Sequence, residues 1–191
     1  MNSKEIHRIV EIQRNYFLQG NTLDLSWRLQ QLRKLKKAVI DHQEEIEIAL
    51  EKDLGRAAFE AYFCDIGSLI LEINEAIHGL KRWAKPETHF SGIHCFPSLI
   101  TKVYKVPYGV SLIISPFNFP VLLSLGVLVA SISGGNTAVI KASSKSANCT
   151  TIIQKVISEA FPPEYITVID GGHDIADLCL EERFDKIFYT G

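Results

Sequence analysis

The sequence has 191 residues, 47% of them hydrophobic, with 20 basic against 22 acidic side chains and a formal net charge of -2. A chain of this size can bury a substantial core, as one domain or as a domain with a helical appendage. The balanced charge leaves no electrostatic footprint for a nucleic-acid backbone, which excludes that class of partner.

The first third is helical in period. From Leu25, apolar residues return at Leu29, Leu32, Leu35 and Val39, and the pattern continues through Ile46 and Leu50 to Gly55. That spacing predicts one long amphipathic helix closed by a glycine cap. Its basic cluster, Arg28, Arg33, Lys34, Lys36 and Lys37, reads as a solvated face, because the acidic "DHQEEIEIALEKD" that follows cancels a membrane-surface motif. A second helical stretch is expected from about Ala57 to Trp83, with Phe59, Phe63, Ile66, Ile70, Ile73, Ile77 and Leu80 on one face, stopping before Pro86. Residues 1–85 therefore form a helical amino-terminal segment.

Residues 86–109 carry Pro86, Gly92, Pro97 and Pro107, and "LITKVYKV" within them alternates as a half-exposed strand does. This stretch is a connecting, hairpin-like segment. After it the rhythm changes to strand "GVSLII", helix "PVLLSLGVLVASIS", strand "TAVIK", a helix over about Ala147 to Ala160, strand "YITVID", helix "DIADLCLEE" and strand "KIFYT". Strands alternating with helices imply crossovers and a parallel sheet. The expected fold class is α/β, with the helical segment followed by a Rossmann-like open parallel sheet over residues 110–191.

In such sheets ligands sit outside the carboxyl ends of the strands. The residues there are Ser115 to Asn118, Lys141 to Ser144, Asp170 to Gly172, and Thr190-Gly191, and all four sets should face one crevice. The glycine-rich GxGxxG turn that brings a diphosphate to a helix amino terminus is absent after "SLII". Pro116-Phe117-Asn118-Phe119-Pro120 stands in its place and is too bulky for that close approach. Within it Asn118 admits two readings: a cap for the helix that begins near Pro120, or an amide donor aimed at a charge that develops during a reaction.

The four cysteines, Cys64, Cys95, Cys149 and Cys179, lie far apart with no CxxC pair, and the amino terminus is polar and charged. They read as reduced thiols in a cytoplasmic protein. The longest low-charge run, Val106 to Ile140, is interrupted by Pro107, Pro116, Pro120 and Gly134-Gly135, so no stretch reaches the roughly 20 apolar residues of a membrane helix. His89, His94 and Cys95 in "HFSGIHC" lack a fourth ligand at suitable spacing, and no metal site is expected.

"PYGVSLIISPFNFP", "GGNTAVIKAS" and "FDKIFYTG", in that order and at those spacings, resemble the amino-terminal part of the aldehyde dehydrogenase superfamily. The helical beginning with "EKDLG" is similar to the class 3, or fatty aldehyde, members. The resemblance covers essentially the whole chain. It implies oxidation of a small-molecule aldehyde to a carboxylic acid with NAD or NADP, through a cysteine thiohemiacetal whose oxyanion Asn118 would stabilise.

It further implies a cofactor site of Ile114, Ser115, Pro116, Phe117, Lys141, Ser143, Ser144, Gly171, Gly172, Thr190 and Gly191. Lys141 would bond the adenosine ribose, and Gly171 and Gly172 would leave room for the adenine. The family's Lys-Pro-Ser-Glu reads Lys141-Ala142-Ser143-Ser144 here, which removes a carboxylate that discriminates against NADP and leaves cofactor preference open; Lys145 could favour the 2'-phosphate. The glutamate base, the nucleophilic cysteine and the oligomerisation tail of relatives would follow Gly191. The chain alone is therefore expected to be inactive, and the full-length protein to be a homodimer. The rival readings are a truncated, non-catalytic binding or structural module and an acyl-reducing superfamily member.

Overall fold

The computed structural model describes residues 1–191. Helix α1 spans Ser3–Leu18 and opens with a capping box, in which the Asn2 side chain accepts from the Glu5 amide and the Glu5 carboxylate accepts from the Asn2 amide. The helix lies within the helical segment expected over residues 1–85, ahead of Leu25, where the first individual helix was placed. Only Ile6, Val10 and Gln13 of its face are buried, and one of the three is polar. The Gln13 amide donates to the carbonyl of Ala138 at 2.9 Å, so α1 is fastened to the sheet by a hydrogen bond that a hydrophobic pattern cannot show.

The long helix expected from Leu25 to Gly55 is two helices, α2 at Leu25–Asp41 and α3 at Gln43–Leu54. They meet at His42, whose backbone leaves the helical region at φ -106°, ψ 15°. The bend lets α2 pack against the second half of the helical segment while α3 runs alongside α7, Ala147–Ala160. His42 holds the corner: its ring nitrogens lie 2.8 Å from Glu45 and 2.8 Å from Glu159 on α7. The expected glycine cap is present, with Gly55 in the left-handed conformation at φ 68°.

Those two carboxylates, Glu45 foremost, raise the His42 pKa above its ordinary 6.5. A raised folded-state pKa contributes stability that is fully present below the unfolded value and is lost as pH rises through the folded one. The thermal midpoint of His42→Gln is therefore expected to lie below that of the parent at about pH 6, with the gap narrowing towards about pH 9. Parallel pH profiles for the two proteins would show that the imidazolium does not hold the bend.

The second helical stretch is also interrupted. Helix α4, Ala58–Ala61, passes into a π-helical turn at Tyr62–Ile66 before α5, Gly67–Trp83. The extra residue in that turn rotates the face. Ile66, Ile73 and Leu80 are buried as expected, but Phe59 and Phe63 turn outward, 80% and 68% exposed, and Asp65 turns inward. Beyond Trp83, strands β1 (Glu87–Phe90) and β2 (Ile100–Val103) pair antiparallel as the hairpin of the connecting segment, exposed at every residue because no layer covers either face.

The open sheet follows as expected: β3 Val110–Ile114, α6 Leu122–Gly134, β4 Thr137–Lys141, α7 Ala147–Ala160, β5 Ile166–Ile169, α8 His173–Leu180 and β6 Lys186–Tyr189. All pairings in it are parallel, in the order β5-β4-β3-β6. Side chains alternate across it. Ile113 and Ile140 join the larger core under α2, α5, α6 and α7, while Leu112, Val139 and Ile169 face Ile6 of α1 and Ile175 and Cys179 of α8. Strand order reverses between β3 and β6, and that switch point is where a ligand crevice opens.

Candidate functional site

The carboxyl ends of β3, β4 and β6 and the amino end of α8 enclose a crevice of about 360 Å³. Its lining takes Ile114 to Phe117 from the end of β3, Lys141 to Lys145 from the end of β4, Gly172 from the start of α8, and Tyr189 to Gly191 from the end of β6. Every residue expected to bind a cofactor is therefore there except Gly171, which reaches the site through its carbonyl. Lys141, only 4% exposed, donates from Nζ to that carbonyl at 2.7 Å and to the Ala142 carbonyl at 2.7 Å. Burial lowers its pKa, opposed by Cys179, Asp170 and Asp174.

Two of the expected residues have additional structural occupations. The Ser115 hydroxyl lies 2.6 Å from the Ser124 hydroxyl on α6, which tethers the end of β3 to the helix. At Gly171, with φ 142°, a Cβ would come within 2.3 Å of Ile175, so packing of α8 by itself demands glycine there. Ser144 is exposed on the crevice wall, and the ammonium of Lys145 stands 5.2 Å from the Phe117 ring centroid. That distance places the cation over an aromatic face across the mouth of the crevice.

Asn118 follows Phe117 and is exposed. It does not cap α6. The N-cap position of that helix is Val121, without a side-chain cap of its own, and the first free amides, those of Val121 and Leu122, donate instead to Oδ1 of Asp65 at 3.2 and 2.9 Å. Helix α7 is treated in the same way: the amides of Asn148 and Cys149 donate to Asp53 of α3. Asp65 is ion-paired with Arg56, whose guanidinium also donates to the Asn118 carbonyl at 2.7 Å. Asn118 is thus held by its backbone and is exposed, but it is not among the residues that line the crevice it was expected to face.

A crevice at a switch point, with an exposed Asn118 directly after its lining residue Phe117, is the setting in which the family likeness can be judged. The sequence profile of the aldehyde dehydrogenase family matches residues 1–191. The chain belongs to the aldehyde dehydrogenase family. It is 39% identical over 178 residues to the 4,4'-diaponeurosporen-aldehyde dehydrogenase of Staphylococcus aureus, covering 92% of this chain and 38% of that one. It is 36% identical over 178 residues to aldehyde dehydrogenase family 3 member F1 of Arabidopsis thaliana, covering 93% and 37%. Among solved structures, the substrate-bound state of Staphylococcus aureus AldH superposes with a TM-score of 0.93 at 37% identity, covering 99% of this chain and 41% of that one. The chain therefore spans about two fifths of the length of these aldehyde dehydrogenases.

In an aldehyde dehydrogenase the thiols need separate scrutiny. Cys149 and Cys179 are fully buried, and burial pushes both thiols up, away from the reactive thiolate. Cys64 is half-buried on the π-helical turn, and Cys95 is exposed in the hairpin segment. No group of three or more His, Cys, Asp or Glu side chains is placed to hold a metal, so His89, His94 and Cys95 do not converge. No helix is long and apolar enough to cross a membrane.

Arg56, Asp65 and Asp53 escaped the sequence reading. A signal was present for Asp65, an acidic residue on the apolar side of a helical pattern between Phe63 and Ile66. Which amides it would meet could not be read from it.

Proposed function

We propose that the whole protein carrying this chain oxidises an aldehyde to a carboxylic acid with a nicotinamide cofactor. The observation that carries the reading is an exposed, backbone-anchored Asn118 that directly follows Phe117, a lining residue of the crevice at the β3/β6 switch point. A preorganised amide donor stabilises the oxyanion that forms when a thiolate adds to a carbonyl, and it does so without reorganisation cost at the moment of reaction. The nucleophile is assigned to no cysteine of this chain, because the two buried thiols are held protonated and neither of the others adjoins the crevice lining.

The residues present fit a nucleotide. An ammonium has three N–H donors, and two of those of Lys141 are spent on carbonyls, leaving one for a ribose hydroxyl. A bound nicotinamide ring supplies the hydride acceptor. Ser144 and Lys145 on the crevice wall favour a 2'-phosphate over what a carboxylate at position 144 would accept, so the protein is expected to use NADP as well as NAD.

The test is steady-state oxidation of an aldehyde by the whole protein, followed by the absorbance of the reduced nicotinamide with each cofactor. Ser144→Glu is expected to raise the NAD to NADP ratio of kcat/KM by about tenfold, the order of one lost or repelled charge contact. An unchanged ratio would remove Ser144 from the cofactor site, and no reduced cofactor with any aldehyde would end the reading.

A further inference from the structure

The turn that carries Asn118 has no regular secondary structure from Ser115 to Val121. Such a segment holds a catalytic amide in register only if something outside it fixes its conformation. One ion pair from the helical segment does so from Asn118 to the start of α6. Asp65, 0% exposed, accepts the amides of Val121 and Leu122, where the turn enters α6. Its other oxygen pairs with Nη1 of Arg56. Nη2 of the same guanidinium donates to the Asn118 carbonyl at 2.7 Å, and its Cζ lies 4.6 Å from the centroid of the Phe119 ring.

Burial pushes the Asp65 carboxyl up, while the two amides and the Arg56 guanidinium pull against it. A buried pair is costly to assemble and weak as a source of net stability. Its reach is easier to understand as geometry: the planar guanidinium fork binds a carboxylate and a carbonyl at once, and the points the pair ties down are the Asn118 carbonyl, the Phe119 ring and the first amides of α6.

We propose that Arg56 and Asp65 are positioning residues for the oxyanion donor: the pair sets the direction of the Asn118 carboxamide from outside the crevice, touching neither aldehyde nor cofactor. The inference rests on the reading of Asn118 as that donor. Asp65 sits on the π-helical turn, on the buried side shared with Ala61 and Leu69, where it reaches the start of α6.

The experiment is a double-mutant cycle in the whole protein. Arg56→Met and Asp65→Asn are each combined with Asn118→Ala, and kcat, KM and the Kd for the oxidised cofactor are measured for every member. Displacing a reacting group by about 1 Å costs on the order of 10²-fold, so each single substitution is expected to lower kcat by about that factor while the cofactor Kd stays within about twofold. In the Asn118→Ala background the same substitutions are expected to cost less than about twofold further, because the donor they aim is gone.

A loss of the same size in both backgrounds, or no loss in either, would overturn the inference while leaving the role of Asn118 intact. If Asn118→Ala by itself leaves kcat unchanged, the oxyanion reading fails and the inference falls with it. Asp65→Asn retains an oxygen for the α6 amides, and Arg56→Lys retains the buried charge. These two variants keep the cycle readable if Arg56→Met does not fold. Arg56→Lys is expected to recover only part of kcat, since a point charge cannot bridge the carboxylate and the carbonyl together.

Discussion

Replacing Asn118 by alanine in the whole protein is expected to lower kcat by about 10²- to 10³-fold, the loss found when one oxyanion donor is removed. The same change is expected to leave the thermal midpoint in place. The two expectations belong together because the structure separates the two roles open to this residue. A helix cap lost to alanine costs about 1 kcal/mol of stability, but the amides at the start of α6 are already taken by Asp65, and the Asn118 side chain lies at the surface. Asn118→Asp should be at least as damaging, since a carboxylate keeps the shape, loses both donors and repels the developing charge. A variant with normal kcat and a lowered midpoint would restore the capping role and remove Asn118 from the chemistry.

Leu112→Ala is expected to lower stability by about 2–5 kcal/mol. Leu112 is 0% exposed on β3, a strand with neighbours on both sides, and it points to the face covered by α1 and α8. Its neighbours Ile6, Val139, Ile169, Ile175 and Cys179 come from four separate elements, so the hole left behind has no single flexible side chain to fill it. The measurement is the urea midpoint at unchanged slope. A loss below about 1 kcal/mol would mean that α1 does not seal this face of the sheet.

The α/β succession was legible from Val110 onward because two periods of different length alternate there without ambiguity: short β-branched runs for the strands, longer apolar runs for the helices. From that succession alone the carboxyl ends of the strands could be named, and the crevice gathers the residues so named except Asn118, Asp170 and Gly171. The helical third was legible in kind but not in detail. Periodicity reports which residues share a face, and it counts on an unbroken helix. The π-helical turn at Tyr62–Ile66 shifts the phase, and Phe59 and Phe63 emerged on the outside, whereas the bend at His42 divides the first helix without moving its expected face, which stays buried at Leu35, Val39, Ile46 and Leu50. Helix α1 was not placed individually because its buried face is three residues long and one of them is a glutamine that hydrogen-bonds the sheet.

By itself the sequence determined the identity of the strands and helices of the sheet, the place of Asn118 at the end of β3 and the family to which the chain belongs, since each of these follows from local spacing or from linked motifs. The tertiary structure alone decided how that turn is held. The carboxylates that satisfy the first amides of α6 and α7 come from Asp65 and Asp53, and the cation that ties down Asn118 comes from Arg56; the partners lie 56, 96 and 62 residues away in the chain. An unsatisfied helix amide requires an acceptor but does not say from where, and only the packing of the helical segment against the sheet selects it.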